Sequence, residues 1–177
     1  MTRMVFSGFG GQGILTLGEI VATIAMRKGM HVTWMPSYGA EMRGGTANCS
    51  VIVSDKVIGS PIVLSDVGIL CAMNQPSLDK FLPRMKKSGG LVMVNSSIVT
   101  EKVAGEGFEV LEIDATNIAV KVGNPRVANM VMLAGFLKKT DLFTLEDITS
   151  VLEYRFAGTR SADLIPLNVK AIEAGLE

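Results

Sequence analysis

Met4-Val5-Phe6-Ser7-Gly8-Phe9-Gly10-Gly11-Gln12-Gly13-Ile14 is the stretch on which the fold turns. Arg3 to Ser7 reads as a short buried strand. Gly8 to Gly13 is a glycine cluster. From Ile14 to Lys28 the apolar residues Ile14, Leu17, Val21, Ile24 and Ala25 recur at helical spacing and fall on one face. Gly29 then ends the helix as its first residue beyond the cap. A strand, a glycine turn and an amphipathic helix in direct succession form the opening unit of a parallel α/β sheet.

The rest of the chain extends this alternation. His31 to Met35 is a second strand, Pro36 to Gly45 a loop, and Ala47 to Val53 a third strand. Ser54-Asp55-Lys56 predicts a turn into a short return strand at Val57-Ile58, a local antiparallel addition. Val67 to Met73 is a continuous apolar run, the signature of a central parallel strand. Gln75 to Arg84 is helical, with Pro76 in its first turn. Leu91 to Val94 and Val110 to Ile113 complete the sheet. Asp114 is placed to cap a short helix, and Pro125 to open one reaching Lys139. Thr144 with Asp147 forms a capping box before a helix through Tyr154, and a last helix covers Leu164 to Ala174. The expected architecture is a single α/β domain over residues 1–177. Its sheet is mainly parallel, with one local antiparallel strand pair.

Composition narrows the function. Lys plus Arg is 17 and Asp plus Glu is 17, so the 177 residues carry no net charge. A nucleic-acid binder needs a cationic surplus to neutralise phosphates, and none is present. The apolar fraction is 48% and the charged fraction 19%, with a mean hydropathy of +0.38. No run of 18 apolar residues exists, so no membrane span is expected. The apolar excess must enter a core or face a partner. Patches larger than a few hundred Å² near the two glycine-bearing loops are the expectation. Cys49 and Cys71 lie in apolar runs and read as reduced, buried thiols; two cysteines cannot ligate an iron–sulfur cluster. With no signal-peptide pattern at the N-terminus, a cytoplasmic location is expected.

Gly8-Phe9-Gly10-Gly11-Gln12-Gly13 matches G-x-G-x-x-G in the strand-to-helix context that a phosphate-binding turn requires. Glycines let a ligand approach the backbone, and N–H groups at a helix start attract anions. The dinucleotide fingerprint also needs an acid closing the second strand. Here that strand ends Thr33-Trp34-Met35-Pro36, which disfavours NAD. A stand-alone dinucleotide-binding oxidoreductase is therefore the lesser reading. Two roles remain open for the glycines: tight packing of helix on strand, or contact with a ligand or partner, which the Gly10-Gly11 pair and the amide of Gln12 favour.

Pro36-Ser37-Tyr38-Gly39-Ala40-Glu41-Met42-Arg43-Gly44-Gly45 follows the second strand, on the same carboxyl edge as the first loop. Its Tyr38, Glu41 and Arg43 can read an anion, a planar group or another subunit. These two motifs, with Val51-Ile52-Val53-Ser54-Asp55, Ile58 and Pro61, resemble the gamma subunit of 2-oxoacid:ferredoxin (or acceptor) oxidoreductases over nearly the whole chain. Asn129, ahead of an apolar helix, is similar to a later part of that family.

The resemblance implies a Rossmann-like domain packed on the catalytic core of a multi-subunit enzyme. Such an enzyme oxidatively decarboxylates a 2-oxoacid, here expected to be 2-oxoglutarate. Thiamine diphosphate with magnesium and the iron–sulfur clusters would belong to alpha, beta and ferredoxin-like delta partners, and coenzyme A would take up the acyl group. The chain alone would hold no redox centre, be inactive, and pair with a second copy through its apolar surface. Gly8, Gly10, Gly11, Gln12, Gly13, Tyr38, Arg43, Gly44 and Gly45 are the residues expected to face coenzyme A or a neighbouring subunit, with Arg43 as a cation for a phosphate. The smaller subunit of indolepyruvate oxidoreductase carries a similar domain and is the related alternative.

Other candidates read as structural. The single histidine, His31, opens a strand and lacks metal-binding partners. Met35, Met42, Met73, Met130 and Met132 fit core filling better than an interface. Asp66, Asp79 and Asp114 show no paired-carboxylate spacing. Arg155, Arg160 and Lys170 read as a solvated helix face.

Overall fold

The first strand, β1 (Thr2–Phe9), is buried without a break from Met4 to Gly8 and lies in the interior of a six-stranded sheet. Met4 and Phe6 enter the core on one face and Val5 on the other. The remaining strands are β2 (His31–Tyr38), β3 (Thr46–Ser54), β4 (Ile69–Ala72), β5 (Gly90–Asn95) and β6 (Phe108–Ile113), and their order across the sheet is β2-β3-β1-β4-β5-β6. β1, β4, β5 and β6 run parallel, whereas β3 is antiparallel to both β1 and β2. The computed structural model describes residues 1–39, 45–105, 107–159 and 162–177.

Helices cover both faces. α1 (Ile14–Arg27), α3 (Ala115–Val122), α4 (Ala128–Lys139), α5 (Leu145–Phe156) and α6 (Ile165–Leu176) build the larger core around Phe6, Leu17, Met93, Met132 and Phe136. The face opposite is closed by the short α2 (Gln75–Phe81), whose Leu78 and Phe81 meet Val5, Leu70 and Val92, and by Val63 and Val99 from the connections. All of β4 and β5 is buried, as their unbroken apolar runs demand. Met73, Met130 and Met132 are core residues, Met35 is exposed, and Met42 lies outside the described residues.

Several local expectations are met and several are corrected. Gly29 has φ 78° and ends α1, and Thr144 and Asp147 form their capping box. β2 runs past Pro36 to Tyr38; a proline without an N–H is tolerated there because β2 is an edge strand. Val57-Ile58 forms no return strand, and the antiparallel addition is β3 itself, turned back between β1 and β2. The helix from Gln75 tightens into a 3₁₀ turn at Leu82–Arg84, where Pro83 removes a backbone donor. Asp114 does not cap α3 with its side chain. Ser97 Oγ takes that role, accepting from Thr116 N at 3.1 Å and Asn117 N at 3.2 Å.

Exposed large apolar residues include two clusters: Trp34, Met35 and Tyr38 on β2, and Val57, Ile62 and Leu64 on the connection from β3 to β4; others, such as Met26, Val120 and Tyr154, are scattered over the helices. Tyr38 and the exposed Ile98 line clefts beside the glycine turn. Among the described residues no helix is long and apolar enough to cross a membrane.

Candidate functional site at the carboxyl edge

The glycine turn is held from inside the protein. Gln12 N donates to Phe9 O at 3.1 Å. Gln12 Oε1 accepts from Phe9 N at 2.7 Å and from Asn74 Nδ2 at 3.2 Å, tying β1 to the start of α2. Gln12 is thus half-buried rather than freely exposed, with its carbonyl end used to brace the turn.

The two roles left open for the glycines separate residue by residue. A Cβ at Gly8 would lie 2.6 Å from Gln12 Oε1, and one at Gly13 2.3 Å from Asn129 Nδ2, so both positions serve close packing. Gly13 also has φ 72°, in the left-handed region. Gly11, at φ 94°, has no heavy atom within 4 Å of its would-be Cβ. It forms an open crest, and a cleft lies on each side of it.

One cleft, of about 250 Å³, is lined by Phe9, Gly10, Gly11, Gly13, Tyr38 and Ala47 among others. β2 and β1 point the same way on either side of β3, so Tyr38 meets Ala47, and Ala47 meets Gly8, in register. Gly10 N donates to Gly45 O at 2.9 Å, which joins the two loops directly. α1 starts here without a side-chain cap, leaving first-turn N–H groups at this edge. Tyr38 is 60% exposed and leads into this cleft. Glu41, Arg43 and Gly44 lie outside the described residues.

The second cleft, of about 210 Å³, runs from Gly11 and Gln12 past Met73 and Ile98 to Thr116 and Arg126. Asn124 Oδ1 accepts from Arg126 N at 3.0 Å and fixes that turn. Asn74, Ser97 and Arg126 are the contributors that sequence reasoning passed over, whereas Asn129 is singled out there only through the resemblance. Asn74 carried a legible sign, a capping residue two places before Pro76, and Asn129 another, a polar residue in an otherwise apolar run.

Neither thiol reaches these clefts. Cys49 and Cys71 are fully buried. Burial pushes the Cys49 thiol up to about 12, opposed by hydrogen bonding from Trp34 and Gly18, and burial likewise raises Cys71. Among the described residues no group of three or more His, Cys, Asp or Glu side chains is arranged to hold a metal ion. His31 is exposed at the start of β2. Arg155 pairs with Glu19, Lys170 is exposed, and Arg160 lies outside the described residues.

Residues 3–177 match the family model described as pyruvate ferredoxin/flavodoxin oxidoreductase. The chain belongs to this family. Ketoisovalerate oxidoreductase subunit VorA of Methanothermobacter thermautotrophicus is 38% identical over 177 residues, 99% of this chain and 36% of that protein. The chain therefore spans about a third of the length of the first curated relatives it matches. The 2-oxoglutarate synthase subunit KorC of Methanocaldococcus jannaschii is 33% identical over 163 residues, 90% of this chain and 86% of KorC. The solved gamma subunit of a keto/oxoacid ferredoxin oxidoreductase from Geobacter sulfurreducens superposes with a TM-score of 0.82 at 30% identity, covering 99% of this chain and 96% of that one. The family's relatives are subunits of oxidoreductases, and this member shares the gamma-subunit fold.

Proposed function

We propose that this chain is the gamma subunit of a cytoplasmic 2-oxoacid:ferredoxin (or acceptor) oxidoreductase, one domain over residues 1–177, with alpha, beta and delta subunits as partners. Those partners hold thiamine diphosphate, magnesium and the iron–sulfur clusters in this reading. The gamma chain meets coenzyme A, and the observation that carries this is the bond from Gly10 N to Gly45 O. It brings the two family motifs to one edge, at an open glycine crest beside an uncapped helix start. Such a surface accepts the close approach of an anionic ligand. The chemistry of coenzyme A, when bound, is a thiol that takes up the acyl group. Gly10, Gly11, Gln12 and Gly13 would present backbone donors and a close approach, Tyr38 a wall, and Arg43 with Gly44 and Gly45 a cationic second loop.

Within the 2-oxoacid class we assign 2-oxoglutarate, supported by the KorC relative, which the chain matches along 86% of its length. Co-expression with the alpha and beta subunits tests the whole reading. The expected result is a stable complex that consumes 2-oxoglutarate faster than pyruvate or 2-ketoisovalerate, with Gly11→Val raising KM for coenzyme A. A core enzyme that is fully active without this chain overturns the assignment. Faster turnover of 2-ketoisovalerate overturns only the substrate.

A further inference from the structure

β2 is an edge strand, and one hydrogen bond shows which of its backbone groups face outward. Gly39 N donates to Thr46 O at 2.8 Å, one residue past the register pair Tyr38–Ala47. Bonded and unbonded pairs alternate along an antiparallel ladder. Thr33, Met35 and Ser37 therefore turn their backbone groups to β3, whereas Val32, Trp34, Pro36 and Tyr38 turn theirs away from it. Among the described residues no strand pairs with that outer side. Pro36 fits there, since it has no N–H to give to β3.

Edges of this kind are usually blunted by charged side chains. None occurs from Val32 to Tyr38, and Pro36 is the one blunting residue in that stretch. On the α1 face, Val32 and Trp34 adjoin Ala22 and Met26 in a groove of about 230 Å³, with Trp34 38% and Met26 61% exposed. Thr33 projects to the opposite face, and its buried Oγ1 has no hydrogen-bond partner among the described residues.

The geometry points to a second copy of this chain as the occupant of this edge, β2 against β2 in antiparallel pairing about a two-fold axis at Thr33. Val32 then pairs with Trp34 of the second copy, and Trp34 with its Val32, which makes four backbone hydrogen bonds. An axis at Trp34 or Met35 would set Pro36 in a bonded pair and lose a donor there. An axis at Val32 would call on Met30 N, which already donates to Ala25 O at 3.1 Å. The paired residues, Met30 to Pro36, include no Lys, Arg, Asp or Glu, so no like charges meet. α1 packs on β1, β2 and β3. Across the joined sheet the two α1 helices stand over the β3 strands, three strand spacings or about 14 Å apart. Helices in contact are about 8–10 Å apart, so the two do not collide. The space between them takes Trp34 and Met26 of both copies, an aromatic and β-branched cross-strand pairing with Val32 beneath. At the axis the two Thr33 hydroxyls become neighbours. Tyr38 and the glycine turn lie beyond the paired stretch, so this interface is independent of the coenzyme A reading.

The test uses the full chain. Sedimentation at about 50 μM, above a micromolar Kd, is expected to give twice the chain mass. Thr33→Cys sets two thiols on the axis with Cα atoms about 4.5 Å apart, within reach of a disulfide. Mild oxidation should therefore link it into a dimer without denaturant. Met35→Cys places its thiols roughly 13 Å apart and should stay unlinked. The native cysteines are buried and take no part. Trp34→Lys and Met26→Lys each bring like charges together across the axis and should raise the dimer Kd at least about tenfold. Met26 is exposed, so its variant keeps the monomer fold even where Trp34→Lys disturbs it. A monomer at that concentration overturns the proposal. So does a dimer that Thr33→Cys fails to link, one that both cysteine variants link equally, or one that Met26→Lys does not weaken.

Discussion

Asn129 Nδ2 donates to Gly13 O at 3.2 Å, linking the start of α4 to the glycine turn across 116 residues of chain. The same nitrogen occupies the space a Cβ at Gly13 would take. One side chain therefore both holds the turn and dictates that its last residue be glycine.

Gly13→Ala is expected to destabilise the protein by roughly 2–3 kcal/mol, from the left-handed backbone and the overlap with Asn129 together. In an Asn129→Ala background the overlap is gone and only the backbone term of roughly 1–2 kcal/mol remains. Urea unfolding of the four proteins of this cycle measures the difference. Additive effects would show that the two residues do not share this space.

Gly18 sits inside α1, where alanine is ordinarily better by about 1 kcal/mol. Here the sign reverses. The added Cβ would fall 2.3 Å from Cys49 Sγ and 3.2 Å from Phe6 Cδ2. Gly18→Ala should lower stability by about 1–3 kcal/mol, as overpacking does. Combining it with Cys49→Ala, which removes the sulfur, should recover most of that. Melting temperatures decide, and a stabilised single variant contradicts the packing described.

Cys49 and Cys71 are both register partners of Phe6, one from each neighbouring strand. Burial keeps the two thiols protonated, Cys49 up to about 12. An unfolded thiol titrates near 8.5, so the folded protein holds these protons longer. Their contribution to stability is complete below about pH 8.5 and declines as pH rises, by up to about 1.4 kcal/mol per pH unit for each thiol. A thiol-specific reagent at pH 8 should find neither cysteine until denaturant is added. The Cys49→Ala/Cys71→Ala protein should lose less stability between pH 8.5 and 10 than the parent.

Asp147 closes the capping box of α5 and also meets Lys28 Nζ at 2.6 Å. The Lys28 hydrogen bond, helped by the Thr144 backbone and opposed by slight burial, holds its carboxyl below the usual range. A lowered native pKa stabilises the fold above the unfolded value of about 3.9 and loses that effect as pH falls through the native one. Asp147→Asn should therefore cost more stability at pH 7 than in acid, the penalty shrinking as pH falls below the unfolded value. The pair is solvent-accessible, so the ion-pair part is small. Thr144→Ala should cost about 1 kcal/mol at either pH through loss of the cap. A penalty for Asp147→Asn that does not shrink as pH is lowered toward acid unfolding would remove the charge from this account.

The strand, glycine turn and helix at Met4 to Ile24 were legible because each has its own local period and conformational demand. Unbroken apolar runs identified β4 and β5 as buried parallel strands, since only a strand covered on both faces is apolar at every position. Two expectations failed for different reasons. Val57-Ile58 has strand-like residues, but β3 just before it is already paired on both sides, with β1 and β2. Asp114 has a capping side chain, but Ser97 Oγ accepts from the α3 amides in its place.

The sequence by itself determined the α/β alternation, the position of both loops at one edge, and the burial of the two thiols. Periodicity, glycine placement and apolar content act over a few residues and need no knowledge of what they meet. Tertiary structure alone decided the division of labour within the glycine turn. Gly8 and Gly13 are filled against by Gln12, Ile14 and Asn129, while Gly11 opens between two clefts. It also decided that Gln12, Thr116 and Arg126, far apart in the chain, would line the same cleft. Those outcomes depend on which distant atoms occupy the neighbouring space, a quantity that exists only once the sheet has closed.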